Sequence, residues 1–141
     1  MNPDYPRDKA AEATLKDSII IGVQSSNEKP LFNRISDIVV DDAGRIYVLD
    51  IGDVQVKVFS SNGDFLFAFG SRGQGPGDLG SPGPIRLSPL GRVVINDMEN
   101  KRIEIFSAEG SYLREWKIEG SGYLVGVDRS GNIFMSKGTR W

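Results

Sequence analysis

Two aspartates are the clearest candidates for chemistry in this sequence. Asp50 and Asp97 stand 47 residues apart, each closing an apolar run, with Asp53 or Glu99 close behind. Carboxylate oxygens so placed can ligate a hard cation such as Ca²⁺. They can instead accept hydrogen bonds from the backbone N–H groups of the following turn, as short polar side chains do. A metal site is normally singular, whereas a turn requirement recurs, so the repetition favours the second role. Asp50 and Asp97 are therefore read as structural acceptors; no cofactor is expected, and Ca²⁺ at these two residues is the alternative. A third occurrence of the pattern puts Lys137 at this position, which breaks any symmetric ring of carboxylates. Asp41, Asp42 and Asp128 precede hairpin glycines and receive the same turn reading.

The sequence contains no His and no Cys. That removes Ser-His-Asp and Cys-His triads, the usual zinc sites and disulfides from consideration. Any catalysis would fall to carboxylates, Lys, Tyr, Ser or Thr. The run Gly70-Ser71-Arg72-Gly73-Gln74-Gly75-Pro76-Gly77 invites comparison with a phosphate-cradling loop. It lacks both the Gly-Lys-Ser/Thr ending and the following helix that such loops need. Gly75 and Gly77 are read as shaping a crossing of the chain, and Arg72 and Gln74 as side chains free to touch a partner, either a protein or a small ligand.

Arg45, Arg92, Lys101, Arg102 and Arg114 are interleaved with Glu99, Glu104, Glu109 and Glu115, a pattern of cross-strand pairing rather than an RNA surface. Seventeen Lys and Arg against nineteen Asp and Glu leave a net charge of −2, without the basic field that nucleic acid or an anionic membrane would require. No apolar run approaches the ~18 residues of a membrane span, and Met1 to Asp17 has no apolar signal core. The compartment is left open.

The elements that must position these residues follow from turn chemistry. A chain of 141 residues, 39% of them hydrophobic, can bury one ordinary core. From Ile35 onward apolar strands alternate with turns at Asp42-Ala43-Gly44, Asn62-Gly63, Pro89-Leu90-Gly91, Glu109-Gly110 and Ser130-Gly131, each with a Gly where a tight hairpin can require positive φ. Superimposing Gly44 on Gly91 also aligns Asp50 with Asp97, Phe59 with Phe106 and Gly63 with Gly110; Gly131 opens a third copy 40 residues after Gly91.

Each unit reads as four strands: Ile35 to Val40, Arg45 to Leu49, Val54 to Phe59 and Phe65 to Phe69, then Ile85 to Leu87, Arg92 to Asn96, Arg102 to Phe106 and Tyr112 to Lys117. The second strand of each is a near-continuous apolar run, including Ile133-Phe134-Met135 in the third copy, which implies cover on both faces. Ser18 to Val23 reads as a short buried strand. The fold class is all-β: a partial β-propeller of four-stranded antiparallel blades, with a repeated β-sandwich as the alternative. The expected divisions are a polar tail at 1–17 that allows a turn or two of helix near Lys9 to Leu15, a strand and connection at 18–34, units at 35–83 and 84–120, and the start of a third at 121–141. Phe59, Phe65, Phe67, Phe69, Phe106, Tyr112 and Trp116 are read as packing between blades, and Trp141 as lacking a partner blade.

Gly75-Pro76-Gly77-Asp78-Leu79 is similar to the Gly-Pro-Gly-Gln/Glu-Phe loop of NHL-repeat, six-bladed β-propellers. Asp97, Asn100, Arg102, Ile103 and Phe106 fit that family's Asp-x-x-Asn-x-Arg-Ile-x-x-Phe segment. The first unit departs from it, with Asp53 in place of Asn and Gln55 in place of Arg. The resemblance implies six blades, of which this length supplies about two and a half, so the chain is expected to be a fragment, or to self-associate if it is whole. In closed propellers of this kind an N-terminal strand such as Ile19 to Val23 completes the last blade. The function so implied is a non-catalytic binding or scaffolding module. The alternative is a portion of a metal-dependent propeller hydrolase or lyase whose site needs further blades; the related amidating lyases use His as a metal ligand.

Overall fold

The computed structural model describes residues 19–22 and 31–137. Among the described residues ten strands form: β1 (Ile35–Val40), β2 (Ile46–Asp50), β3 (Gln55–Phe59), β4 (Phe65–Phe69), β5 (Pro82–Leu87), β6 (Val93–Asp97), β7 (Arg102–Phe106), β8 (Tyr112–Lys117), β9 (Gly122–Val127) and β10 (Ile133–Lys137). They make two four-stranded antiparallel sheets in simple sequential order, β1 to β4 and β5 to β8, followed by a β9–β10 pair. β2 and β6 each begin and end one residue later than the expected Arg45 to Leu49 and Arg92 to Asn96, so that they close on Asp50 and Asp97. β5 begins at Pro82 rather than Ile85.

The five hairpins at one end of the sheets, β1–β2, β3–β4, β5–β6, β7–β8 and β9–β10, close in the same way. The fourth residue of the turn, Gly44, Gly63, Gly91, Gly110 or Gly131, has φ between +71° and +88° and donates its N–H to the carbonyl of the first. The first residue's side chain then accepts N–H groups from its own turn. Asp41 Oδ1 takes those of Ala43 at 3.0 Å and Arg45 at 2.8 Å, and Asp128 Oδ1 those of Ser130 and Asn132, both at 2.9 Å. Only Gly reaches that φ without a Cβ penalty, which is why the turn glycines mark the hairpins so well.

The sheets stack face to face. Tyr47, Leu49, Val56 and Val58 of the first meet Ile85, Val93, Ile95 and Phe106 of the second, with Val54, Phe69 and Leu79 closing the layer. On the second sheet's other side Val94, Ile103 and Ile105 meet Leu124 of β9. Phe69 and Phe106 pack across the first junction with ring centroids 4.9 Å apart. Tyr47 donates its hydroxyl across it to the Ala108 carbonyl at 3.0 Å. β1 lies beside β5, and β5 beside β9. Asp37 Oδ2 fastens the first two by accepting the Ile85 N–H at 3.1 Å and an Arg86 N–H at 3.0 Å. Strand cover follows this stacking: β6 and β7 are buried throughout, while β10, whose partner in the sheet is β9, is largely exposed.

Ile19 to Gly22 forms no strand, contrary to the sequence reading. Gly22 sits at φ +91°, outside regular strand geometry, and Ile19 lies against the hairpin at Gly63. The expected helical turns near Lys9 to Leu15, the rest of the tail, Val23 and Trp141 lie outside the described residues.

Two non-glycine residues have positive φ, Val54 at +56° and Lys101 at +51°, and they occupy matching positions at the ends of the β2–β3 and β6–β7 turns. Left-handed backbone costs an L-residue roughly 1–2 kcal/mol. Val54 offsets this by burial at 1% exposure, whereas Lys101 is exposed and does not. Lys101→Gly is therefore expected to stabilise the fold by about 0.5–1 kcal/mol in urea unfolding, and a loss of stability would show that the Lys101 side chain contributes contacts of its own.

Candidate functional site

β2 and β6 each run from the hairpin end of the sheet to its opposite end, where the chain turns into the third strand and where the connection from the preceding unit arrives. The last residue of each strand, Asp50 or Asp97, is wholly buried. A carboxylate there must be hydrogen-bonded on every side or leave the site neutral. Asp50 Oδ1 accepts the N–H groups of Arg34 at 2.8 Å, Gly52 at 3.1 Å and Asp53 at 3.3 Å. Its Oδ2 accepts that of Asn33 at 2.8 Å and an ammonium hydrogen of Lys57 at 2.9 Å. Asp97 Oδ1 accepts from Ser81 N at 3.1 Å and Asn100 N at 3.4 Å, and Oδ2 from Gly80 N at 2.9 Å and Asn100 Nδ2 at 2.7 Å.

The shortest backbone bonds come from the incoming connection, 16 or 17 residues earlier, and not from the following turn that the sequence emphasised. Asn33 and Arg34 match Gly80 and Ser81 at the same 47-residue spacing. Asp50 and Asp97 lie in separate sheets with their lone pairs engaged by donors. Among the described residues no three His, Cys, Asp or Glu side chains converge as a metal site.

A cation also holds the incoming connection in each unit, from different positions, and in the first unit alone it bonds the aspartate as well. In the first unit Lys57, in mid-β3, donates to Asp50, to Asp53 at 2.5 Å and to the Leu31 carbonyl at 2.8 Å, with its ammonium 5.6 Å from the Phe32 ring centroid. Gln55 stands where the second unit has Arg102. In that unit Arg102 spreads over the loop, donating to the carbonyls of Gln74 at 3.2 Å, Gly75 at 2.8 Å and Asp78 at 2.9 Å, and to Glu115 at 2.8 Å. Leu31 and Asp78 are equivalent residues, so the same carbonyl is held by a lysine in one unit and an arginine in the other.

Glu104 replaces Lys57 in the second unit and is wholly buried. Arg102 Nε lies 2.6 Å from Glu104 Oε1, an ion pair whose angle does not make a hydrogen bond. Burial pushes the Glu104 carboxyl up to about 7, with Arg102 opposing and Glu115 and Asp97 adding to the rise. Asp50 goes the other way. Burial alone would raise it, but Lys57 and the N–H groups of Arg34 and Asn33 hold it well below the usual carboxylate range.

The loop from Ser71 to Leu79 is thereby fixed. Leu79 N–H bonds the Ser71 carbonyl at 2.7 Å, Gly73 N–H bonds the Leu79 carbonyl at 3.1 Å, and Asn100 Nδ2 holds the Gly73 carbonyl at 2.9 Å. Gly77 has φ +80° and a Cβ there would come within 3.2 Å of the Tyr112 Cβ. Gly75 has no positive φ; its space is limited by the Asp78 carboxylate, 3.1 Å from a Cβ position. Arg72 and Gln74 are both exposed on this loop, while Gly44, Gly91 and Gly131 lie at the opposite, hairpin end of the sheets.

The sequence reading passed over Lys57 and took Glu104 for a surface partner in a charge pair. The signal for both is a single charge flanked by apolar neighbours within a short strand, Val56-Lys57-Val58 and Ile103-Glu104-Ile105.

The two carboxyl shifts set opposite limbs of a pH profile. The native Glu104 binds a proton more tightly than the unfolded side chain, so stability falls as pH rises from about 4.5 to about 7, by on the order of 2–3 kcal/mol. Asp50 is more acidic when folded, so its contribution is lost as pH falls below its ordinary value of 3.8. Urea unfolding across pH 3–8 is expected to show greatest stability in mildly acidic solution. Glu104→Gln should flatten the upper limb alone, and an unchanged upper limb in that variant would remove Glu104 as its source.

The profile of a family described as 6-bladed beta-propeller matches residues 25–88. No curated protein matches the chain in sequence. Among solved structures, a predicted exported protein from Bacteroides fragilis is similar with a TM-score of 0.64 and 19% identity, over 80% of this chain and 32% of its own. Streptogramin B lyase is similar at TM-score 0.58 and 15% identity, over 72% and 33%. A catalytically inactive variant of virginiamycin B lyase from Staphylococcus aureus, solved with quinupristin, follows at 0.53 and 14%, over 73% and 41%. The chain thus spans about a third to two fifths of the length of these proteins. Likeness at such identity reaches the fold and no further. With its stacked four-stranded antiparallel sheets, the chain is an open, partial β-propeller.

Proposed function

We propose that this chain belongs to a non-catalytic binding or scaffolding module that engages a protein or small ligand at the end of the sheets where the connections lie. The observation that supports this most is the loop at Ser71 to Leu79: its carbonyls are fixed by the buried Arg102 while Arg72 and Gln74 stay exposed. A loop ordered before binding loses little entropy on contact, so its exposed side chains can contribute affinity. Among the described residues neither the Arg72 guanidinium nor the Gln74 amide makes a hydrogen bond of its own. A second reading, a share of a propeller hydrolase or lyase, has the likeness to two lyases in its favour; saturable stabilisation by Ca²⁺, lost in Asp97→Ala, would promote it.

Arg72→Ala and Gln74→Ala are each expected to leave stability within about 0.5 kcal/mol while weakening capture of the partner identified by pull-down. Unchanged affinity in both variants would reduce the loop to a connector. The exposed apolar side chains Ile38 and Val40 on β1 and Val125 and Phe134 on β9 and β10 also support self-association of the chain by itself. Sedimentation velocity should show species larger than one chain, and a stable monomer at all concentrations would refute this.

A further inference from the structure

The two junctions between sheets are built from equivalent positions but filled differently. At the first, Leu49, Val54 and Leu79 are buried apolar side chains that close the layer. At the second, the residues 47 positions later are Asn96 for Leu49 and Lys101 for Val54. Leu79 is matched, 40 positions on, by Glu119, which is exposed and lines the adjoining groove. The connection is also shorter, four residues between β8 and β9 against twelve between β4 and β5. At these three positions, therefore, no apolar side chain closes the end of the second junction. In their place is a recess of about 210 Å³, open on one side and lined by Asn96, Met98, Lys101, Ile118, Ser121 and Tyr123, with Asp97 at its wall.

Asn96 lies on the face of β6 that looks toward β9, beside Val94, and is wholly buried, yet neither its Oδ1 nor its Nδ2 has a hydrogen-bond partner. Buried amides are ordinarily satisfied, and one left open beside a largely apolar recess is poised for a guest that brings its own polar groups. Lys101 makes no ion pair among the described residues. Asp97 is nearby and already holds four donors, so the cavity's formal charges balance and it has no call for an ionic guest. What is offered is a paired donor and acceptor from one amide, an ammonium, two hydroxyl-bearing residues at the rim and the half-exposed ring of Tyr123.

We propose that this junction binds a small, neutral, polyhydroxylated molecule of the size of one sugar ring. Adjacent hydroxyls match the donor and acceptor of a single amide, and the C–H face of such a ring suits the exposed aromatic. The volume, about seven waters' worth at ~30 Å³ each, has room for one such ring. The site is separate from the loop carrying Arg72 and Gln74, and its fate does not depend on that loop's.

The test is a titration of the ¹⁵N-labelled chain with D-glucose, D-mannose and D-galactose, and with sodium acetate as the anionic control, following by NMR the backbone amides of Ser121, Gly122 and Tyr123, which every variant retains, together with the Asn96 side-chain amide where it is present. The expected result is a saturable shift with at least one hexose, with a dissociation constant on the order of 1 mM. Asn96→Leu, which recreates the Leu49 arrangement, should abolish it, and Lys101→Met should weaken it about tenfold. If Asn96→Leu fails to fold, the Lys101→Met comparison still decides. A response to acetate alone would make this an anion site and overturn the proposal. Absence of any saturable shift would do the same, leaving a hydrated gap.

Discussion

Each unit depends on a carboxylate buried at the end of its second strand and hydrogen-bonded on both oxygens. Asp50 and Asp97 are at 0% exposure, and their oxygens gather five and four donors respectively. Charge-assisted bonds of this kind are roughly twice as strong as neutral ones. Here they serve three neighbours at once: the turn into the third strand, the strand itself and the segment arriving from the preceding unit. Removing the carboxylate would orphan several N–H groups together, each costing about 1–3 kcal/mol when buried. The position of the connection, the seat of Leu79 in the core and the shape of the 71–79 loop all follow from this anchor.

The cation that holds the connection varies more between units than the carboxylate does. Lys57 is a point charge that meets two carboxylates and one carbonyl, whereas Arg102 is a planar fork that spans three carbonyls and a glutamate. The longer connection presents more carbonyls, and the fork is the side chain that can reach them in one plane. Its cost is the company of Glu104, a buried acid with no hydrogen-bond donor aligned to it, whose burial brings its titration up toward neutrality.

Much of this architecture can be seen in the sequence because its rules are local. A glycine that must hold φ near +80° declares a hairpin, and five of them at matched spacings declare repeating sheets. The ends of β2 and β6 were legible for the same reason. Features fixed by tertiary environment were not. Ile19 to Gly22 has the composition of a strand, but a strand also needs a partner along its edge. Ile133-Phe134-Met135 has the apolarity of a covered strand, yet Phe134 is 53% exposed because cover comes from neighbouring sheets. The left-handed backbone of Val54 and Lys101 carries no compositional mark, since neither is a residue that favours it. Asn96 looked like the end of an apolar run, and only the stacking shows that its amide faces a junction its counterpart fills with leucine.

The two ends of the sheets obey different rules of change. At one end every hairpin is the same four-residue turn, held by its own glycine and its own first side chain. At the other, connections of twelve and four residues join equivalent strands without altering their register. Mutational tolerance is thereby partitioned along the axis: one end is conformationally frozen, and the other admits insertions and deletions at small entropic cost. A lineage built on this plan can vary what it recognises without renegotiating how it folds, and a protein engineer looking for a place to splice a foreign peptide would begin between Lys117 and Gly122, where the chain already crosses in four residues.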